Sequence, residues 1–84
     1  MTDPLRIKVR CFSQLRYALG ASEIEIELLP PASLGDVARQ VREMGGPAVA
    51  ALPFRLALNK AFAEEDTPVH EGDEVALISP VQGG

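Results

Sequence analysis

The sequence predicts an α+β fold in which one main helix packs across a mixed sheet of four or five strands. Three observations predict it. Two early segments, Leu5 to Phe12 and Glu23 to Leu28, alternate apolar and polar residues, the period of half-buried strands. One long segment from Leu34 carries apolar residues at helical spacing. Three more strand-like segments follow, at Phe54 to Leu58, Lys60 to Ala63 and Glu74 to Ile78.

Each element has a local reason. In the first strand Leu5, Ile7, Val9 and Cys11 point one way, and Arg6, Lys8, Arg10 and Phe12 the other. In the second, Ile24, Ile26 and Leu28 oppose Glu23, Glu25 and Glu27. The outward faces set three cations against three carboxylates, which predicts an antiparallel hairpin. Each cross-strand pair contributes roughly 0.2–1 kcal/mol, so the charges fix partner and register more than stability. The connection from Ser13 to Ser22 is too long for a tight turn. It has room for a short helix capped by Ser13, carrying Leu15, Ala18 and Leu19 and closed by Gly20.

Pro30-Pro31 stops the second strand. Ser33 reads as a helix N-cap, with Asp36 where a capping box prefers Glu or Gln. Leu34, Val37, Ala38 and Val41 follow at i, i+3, i+4 and i+7, an amphipathic helix. Arg39, Gln40, Arg42 and Glu43 cover its solvent side. Gly45-Gly46-Pro47 ends it, and Ala48 to Leu52 is ambiguous, with a helical turn one reading. Asn59-Lys60 makes a tight turn, since Asn tolerates positive φ. Glu64 to Asp73 reads as polar loop.

The order of elements is strand, strand, helix, strand, short strand, strand. A β-grasp, ubiquitin-like arrangement covers every apolar face most economically, with the first and last strands as parallel neighbours in mid-sheet. Residues 1–84 then form one domain, with a flexible tail at 79–84 leaving one end of a rigid platform.

Composition narrows the function. The chain has 84 residues, 46% hydrophobic and 24% charged, room for one domain. A domain this small buries roughly 60–65% of the surface its unfolded chain exposes, which leaves no space for a deep private cavity. It suits a protein that offers a surface or a terminus to a partner. The net charge of −4 argues against nucleic acid as a partner and against anionic membranes. No apolar run nears the roughly 20 residues that span a bilayer. The single cysteine forms no intrachain disulfide, and the short acidic start is unlike a signal peptide. A cytoplasmic location is the expectation.

The last residues are Ser79-Pro80-Val81-Gln82-Gly83-Gly84. They read in two ways. One is an inert frayed end. The other is a working tail: two glycines lack side chains and pass through a channel too narrow for any other residue. Adenylation with ATP would turn the Gly84 carboxylate into an acyl donor. A sulfur nucleophile would then displace AMP and leave a thiocarboxylate. Pro80 limits the conformational entropy lost on insertion, and Val81 offers an apolar anchor before Gly83.

Here the chain resembles the small subunit of molybdopterin synthase, the MoaD group of β-grasp sulfur carriers. The resemblance rests on Phe12-Ser13-Gln14-Leu15-Arg16, Leu56-Ala57-Leu58-Asn59, Gly72-Asp73-Glu74-Val75-Ala76 and Pro80-Val81-Gln82-Gly83-Gly84, in order and spacing. Cys11-Phe12, Tyr17 and Ser79-Pro80 depart from the residues common in the group. The resemblance implies a small non-catalytic subunit, active only with a larger one. Gly84 would be adenylated by an E1-like, MoeB-like enzyme and sulfurated from a sulfur donor. The tail would then enter a MoaE-like large subunit and give sulfur to a pyranopterin precursor in molybdenum cofactor biosynthesis. The catalytic residues would belong to that subunit, and the complex would be a heterotetramer. No cofactor would be bound by the carrier itself, ATP being used by the activating enzyme. Related carriers that serve thiamine, cysteine or tRNA thiolation share the tail, as do ubiquitin-like modifiers conjugated to lysines. A plain interaction module with an inert tail is the reading outside this chemistry.

The resemblance also implies partner contacts at Phe12, Arg16, Phe62 and Ile78; Pro80 and Val81 of the tail are expected to join them for the reasons given above. Exposed together, Phe12, Phe62 and Ile78 would form an apolar docking patch. Covered by a loop, they would be ordinary core; Arg16 reads alternatively as an ordinary solvated or helix-end cation. Cys11 falls on the inward side of its strand, the place of a small hydrophobe rather than a nucleophile. His70, alone in a polar loop, lacks companions for a metal site. Glu64-Glu65-Asp66 reads as a solvated charge run, and Gly45-Gly46 has no phosphate-loop context.

Overall fold

The hairpin at the start of the chain carries the register that the charges predict. Strand β1 (Leu5–Cys11) pairs antiparallel with β2 (Glu23–Leu28), setting Arg6 opposite Glu27, Lys8 opposite Glu25 and Arg10 opposite Glu23. The computed structural model describes residues 2–78, apart from the side chains of Ser13 and Ala48. The tail, with Pro80, Val81, Gly83 and Gly84, lies outside the described residues.

The helix α1 (Ser13–Leu19) joins the two strands. Its N-cap position is held by Phe12, one residue before the expected Ser13, and carries no side-chain cap hydrogen bond. Gly20 closes α1 in the left-handed region at φ 74°, its N–H bonded to the Arg16 carbonyl, a backbone state that glycine adopts without strain.

A two-residue strand β3 (Ala32–Ser33) precedes helix α2 (Leu34–Ala50). The capping box forms with Asp36 in the third position. The Ser33 Oγ accepts from the Asp36 N–H, and Asp36 Oδ2 accepts from the Ser33 N–H at 2.9 Å. The helix breaks at Gly46, at φ 71° and ψ −162°. The chain then resumes helical geometry with Pro47 as the first residue after the break, so the ambiguous stretch after Pro47 continues as a helical turn. Gly45 is required for a different reason. A Cβ there would run into the side chain of the fully buried Val49.

Strands β4 (Arg55–Leu58) and β5 (Ala61–Phe62) form a hairpin. Its turn residues Asn59 and Lys60 both take positive φ, 50° and 74°, the backbone of a two-residue turn matched to strand twist. The stretch expected as loop contains a further short strand, β6 (Pro68–Val69), which pairs with β3. Strand β7 (Glu74–Ile78) completes the main sheet in the order β2-β1-β7-β4-β5. The neighbours β1 and β7 run parallel at its centre.

The core lies between this sheet and α2. Ile7 and Val9 of β1 and Val75 and Leu77 of β7 are fully buried, against Leu34, Val37 and Val41 of α2. Each side chain of this kind contributes roughly 1.5–3 kcal/mol when removed from water. Among the described residues no helix covers the opposite side of the sheet, and that open face positions the candidate site.

Candidate functional site

The open face is built by strand alternation. Because Val75 and Leu77 face the core, Glu74, Ala76 and Ile78 face outward. Ladder partners share a face, so Arg55 lies beside Ile78, Ala57 beside Ala76, and Phe62 beside Ala57. Leu77 pairs with Cys11 on the other flank. Phe12, next in an extended conformation, therefore emerges beside Ile78.

The structure thus brings Phe12, Ile78 and Phe62 onto one face, as the patch reading expected. Phe12 is 41% exposed and Phe62 61%, and Ile78 is half-buried. No layer of described residues covers them. Two arginines frame the patch. The Arg55 guanidinium stacks over Phe62 and the Arg10 guanidinium lies 5.8 Å from the centre of the Phe12 ring. A groove of about 350 Å³ leads from Phe62 round the β5 edge to the α2 side, where Ala38 and Arg42 line it with Phe54.

Arg16 is not part of this face. It is exposed in the last turn of α1, where a cation complements the helix C-terminus. Its guanidinium lies 5.4 Å from the Tyr17 ring. The strand that leads to the tail ends at Ile78, in mid-sheet between β1 and β4. Pro80, Val81, Gly83 and Gly84, the remaining expected site residues, lie outside the described residues.

Electrostatics around the face are set by long-range pairs that periodicity does not show. Arg6 Nε meets Glu71 Oε2 at 3.3 Å, and Arg10 meets Glu74 at 3.7 Å. Asn59 ties the β4–β5 turn to β7, its Oδ1 accepting from the Glu74 N–H at 3.0 Å. Cys11 is buried, and its thiol pKa is raised by that burial, the opposite of an activated nucleophile. His70 is exposed. Among the described residues, no group of three or more His, Cys, Asp or Glu converges as a metal site would require. No helix of the described residues is long and apolar enough to cross a membrane.

The sheet order, the central parallel pair and the single helical layer compare directly with known proteins. The model of the ThiS family matches residues 9–84. The chain belongs to the ThiS family. The family is one of ubiquitin-like sulfur carriers that includes the MoaD proteins.

Solved structures agree on the fold. A candidate molybdopterin converting factor subunit 1 from Pyrococcus furiosus superposes with a TM-score of 0.84 at 23% identity, over 92% of this chain and 99% of that one. The small archaeal modifier protein 1 of Haloferax volcanii gives 0.80 at 20% identity, over 92% and 99%. Subunit 1 or 2 of the molybdopterin-converting factor complex of Helicobacter pylori 26695 gives 0.62 at 24% identity, over 95% and 100%. At these identities the likeness is one of fold. The ThiS-family β-grasp frame is therefore established for this chain, and its pathway is a separate matter.

Proposed function

We propose that this ThiS-family chain is the sulfur-carrier subunit of a molybdopterin synthase, with Gly84 as its reacting residue. The observation that carries the reading is the joint position of β7 and the open face. The strand leading to Pro80-Val81-Gln82-Gly83-Gly84 ends in mid-sheet at Ile78, with Phe12 following the neighbouring β1 and Phe62 on the same face two strands away on β5. A partner seated on that face receives the tail at the same time.

In this reading residues 1–84 act as one carrier domain and 79–84 as its leash. The Gly84 carboxylate attacks ATP on an E1-like enzyme, pyrophosphate leaves, and an acyl-adenylate forms. A sulfur nucleophile adds to the acyl carbon and AMP leaves, giving the thiocarboxylate. Gly83 and Gly84, having no side chains, reach into the large subunit's active site, where the thiocarboxylate sulfur passes to a pyranopterin precursor. Phe12, Phe62 and Ile78 dock the large subunit, Val81 and Pro80 guide the tail, and Arg16 adds a contact from α1. A cytoplasmic location suits a cycle that consumes ATP. The two-subunit complex of the Helicobacter pylori molybdopterin-converting factor supports a MoaE-like partner.

A second reading keeps the carrier chemistry and changes the destination. The likeness to small archaeal modifier protein 1 favours conjugation to lysines through the same activated carboxyl, and the family model leaves thiolation for other products open.

One reconstitution separates these readings. The chain is incubated with ATP, an E1-like enzyme and a sulfur donor, then with a MoaE-like subunit and the pyranopterin precursor. Dithiolene product formed only with the large subunit supports the synthase reading. Thiocarboxylate formed without product favours another sulfur pathway. Lysine adducts favour the modifier. A variant with one residue added after Gly84 is expected to stay folded and transfer no sulfur, and sulfur transfer by that variant contradicts the tail mechanism.

A further inference from the structure

The main sheet has β2 at one edge and the two-residue β5 at the other, and the backbone of the longer β2 specifies what fits there. The Cys11 N–H donates to the Ser22 carbonyl at 2.9 Å, and the register pairs Val9 with Ile24 and Ile7 with Ile26. Hydrogen-bonded pairs recur at every second residue of an antiparallel ladder. Ile24, Ile26 and Leu28 therefore turn their N–H and C=O groups toward β1. Those of Glu23, Glu25 and Glu27 point out of the sheet. No other backbone among the described residues pairs with them.

Among the described residues, the side chains of the same three residues enter no ion pair. Glu23, Glu25 and Glu27 are exposed. They face Arg10, Lys8 and Arg6 across the hairpin, yet Arg6 and Arg10 close their ion pairs with Glu71 and Glu74 instead. A row of outward hydrogen-bonding groups thus carries a row of available carboxylates at the same residues. Ile24 and Leu28, on the other face, are half-buried, so some apolar surface remains for an incoming strand to cover.

We propose that the β2 edge accepts, by strand addition, an extended segment of a partner protein with Lys or Arg at alternate positions and β-branched residues between. Strand addition pairs main chains and reads alternate side chains. The cations would sit opposite Glu23, Glu25 and Glu27, and the apolar residues beside Ile24, Ile26 and Leu28. The chain itself displays this pattern on the other flank of β2, as Arg6-Ile7-Lys8-Val9-Arg10 of β1. The incoming strand repeats it and makes β2 an interior strand between two basic ones. A second copy is the wrong occupant, because β2 against β2 would oppose glutamates, and like charges across a ladder repel. The site is at the opposite edge of the sheet from β5 and Phe62, so both surfaces can be occupied together.

The test is a titration of the full chain, labelled with nitrogen-15, with the capped peptide Thr-Arg-Val-Lys-Val-Arg-Thr. The expected result is amide shifts centred on Glu23, Glu25 and Glu27, with affinity that falls as salt is added. A peptide with glutamate at its three basic positions gives no shifts. The triple variant E23Q/E25Q/E27Q binds about tenfold more weakly, the effect of three cross-strand ion pairs. Glu25→Pro removes one outward N–H, which an edge strand tolerates, and abolishes binding while the core amides keep their shifts. Shifts centred on Phe62 and Ile78, no shifts at all, or equal binding by the triple variant would overturn the proposal.

Discussion

Arg55 lays its guanidinium over the Phe62 ring, 4.1 Å from the ring centre, on the open face of the sheet. The stack holds an exposed aromatic ring of β5 in place, two strands from β7. Arg55 also neighbours Ile78 in the ladder, so one cation borders both apolar residues. A ring ordered before docking loses less entropy on binding.

Phe62→Ala is therefore expected to separate docking from folding. Phe62 is 61% exposed, so its removal should change stability by under about 1 kcal/mol. Under the proposed synthase reading, binding to a MoaE-like subunit should weaken roughly 30-fold, as for an anchor worth about 2 kcal/mol. Calorimetric titration beside a thermal melt reads both quantities. Unchanged affinity would remove Phe62 from the docking face.

The capping box makes a pH-dependent contribution. Asp36 has a lowered pKa, chiefly through the hydrogen bond from the Ser33 backbone and also through Arg39, whose Nη2 lies 2.7 Å from Oδ1. A depressed carboxyl stabilises the fold fully above its unfolded value of about 3.9. That stability is lost as pH falls through the lower folded value. Melts between about pH 6 and pH 2 should show a steeper acid loss in the native protein than in Asp36→Asn. Ser33→Ala should cost about 1 kcal/mol at neutral pH, or about 4–8 °C in Tm.

The break in α2 depends on two adjacent glycines for different reasons. Gly46 sits at φ 71° and ψ −162°, a region that side chains pay roughly 1–3 kcal/mol to enter. Gly45→Ala instead drives a methyl into Val49, an overpacking cost of roughly 1–3 kcal/mol. Denaturant unfolding of Gly45→Ala, Gly46→Ala and Val49→Ala/Gly45→Ala resolves the two. The double variant should recover part of the clash and pay for a cavity. Gly46→Ala should be independent of residue 49.

Cys11 should be silent in the native state. It is 2% exposed and its pKa is raised by burial, so little thiolate exists at neutral pH. A thiol reagent at pH 8 is expected to label it only after denaturant is added. Rapid native labelling would show that the β1–β7 pair opens readily.

Much of this was legible in the residue pattern, for physical reasons. Period-two charge alternation fixed the β1–β2 register, because a one-residue slip would turn Ile7 and Val9 to solvent. Ser33 and Asp36 announced the start of α2, since capping is local chemistry. Phe12, Phe62 and Ile78 came together because parity and sheet order place them on one face. The β3–β6 ribbon was not legible. Two residues carry no periodicity, and the pairing of Ala32 with Val69 is decided by tertiary packing. The pairs Arg6–Glu71 and Arg10–Glu74 were hidden likewise, as partners more than sixty residues apart. Arg16 shows the limit of family likeness: a short motif located it on α1 but gave no direction for its side chain.

The central claim is that sulfur rides on the carboxyl of Gly84. Intact and C-terminal-peptide mass spectrometry, after incubation with ATP, an E1-like enzyme and a sulfur donor, tests it most directly. The account predicts exchange of one oxygen for sulfur, confined to the peptide ending in Gly84 and absent without ATP. An unchanged terminus, with an activating enzyme shown to be competent on another carrier, would contradict it.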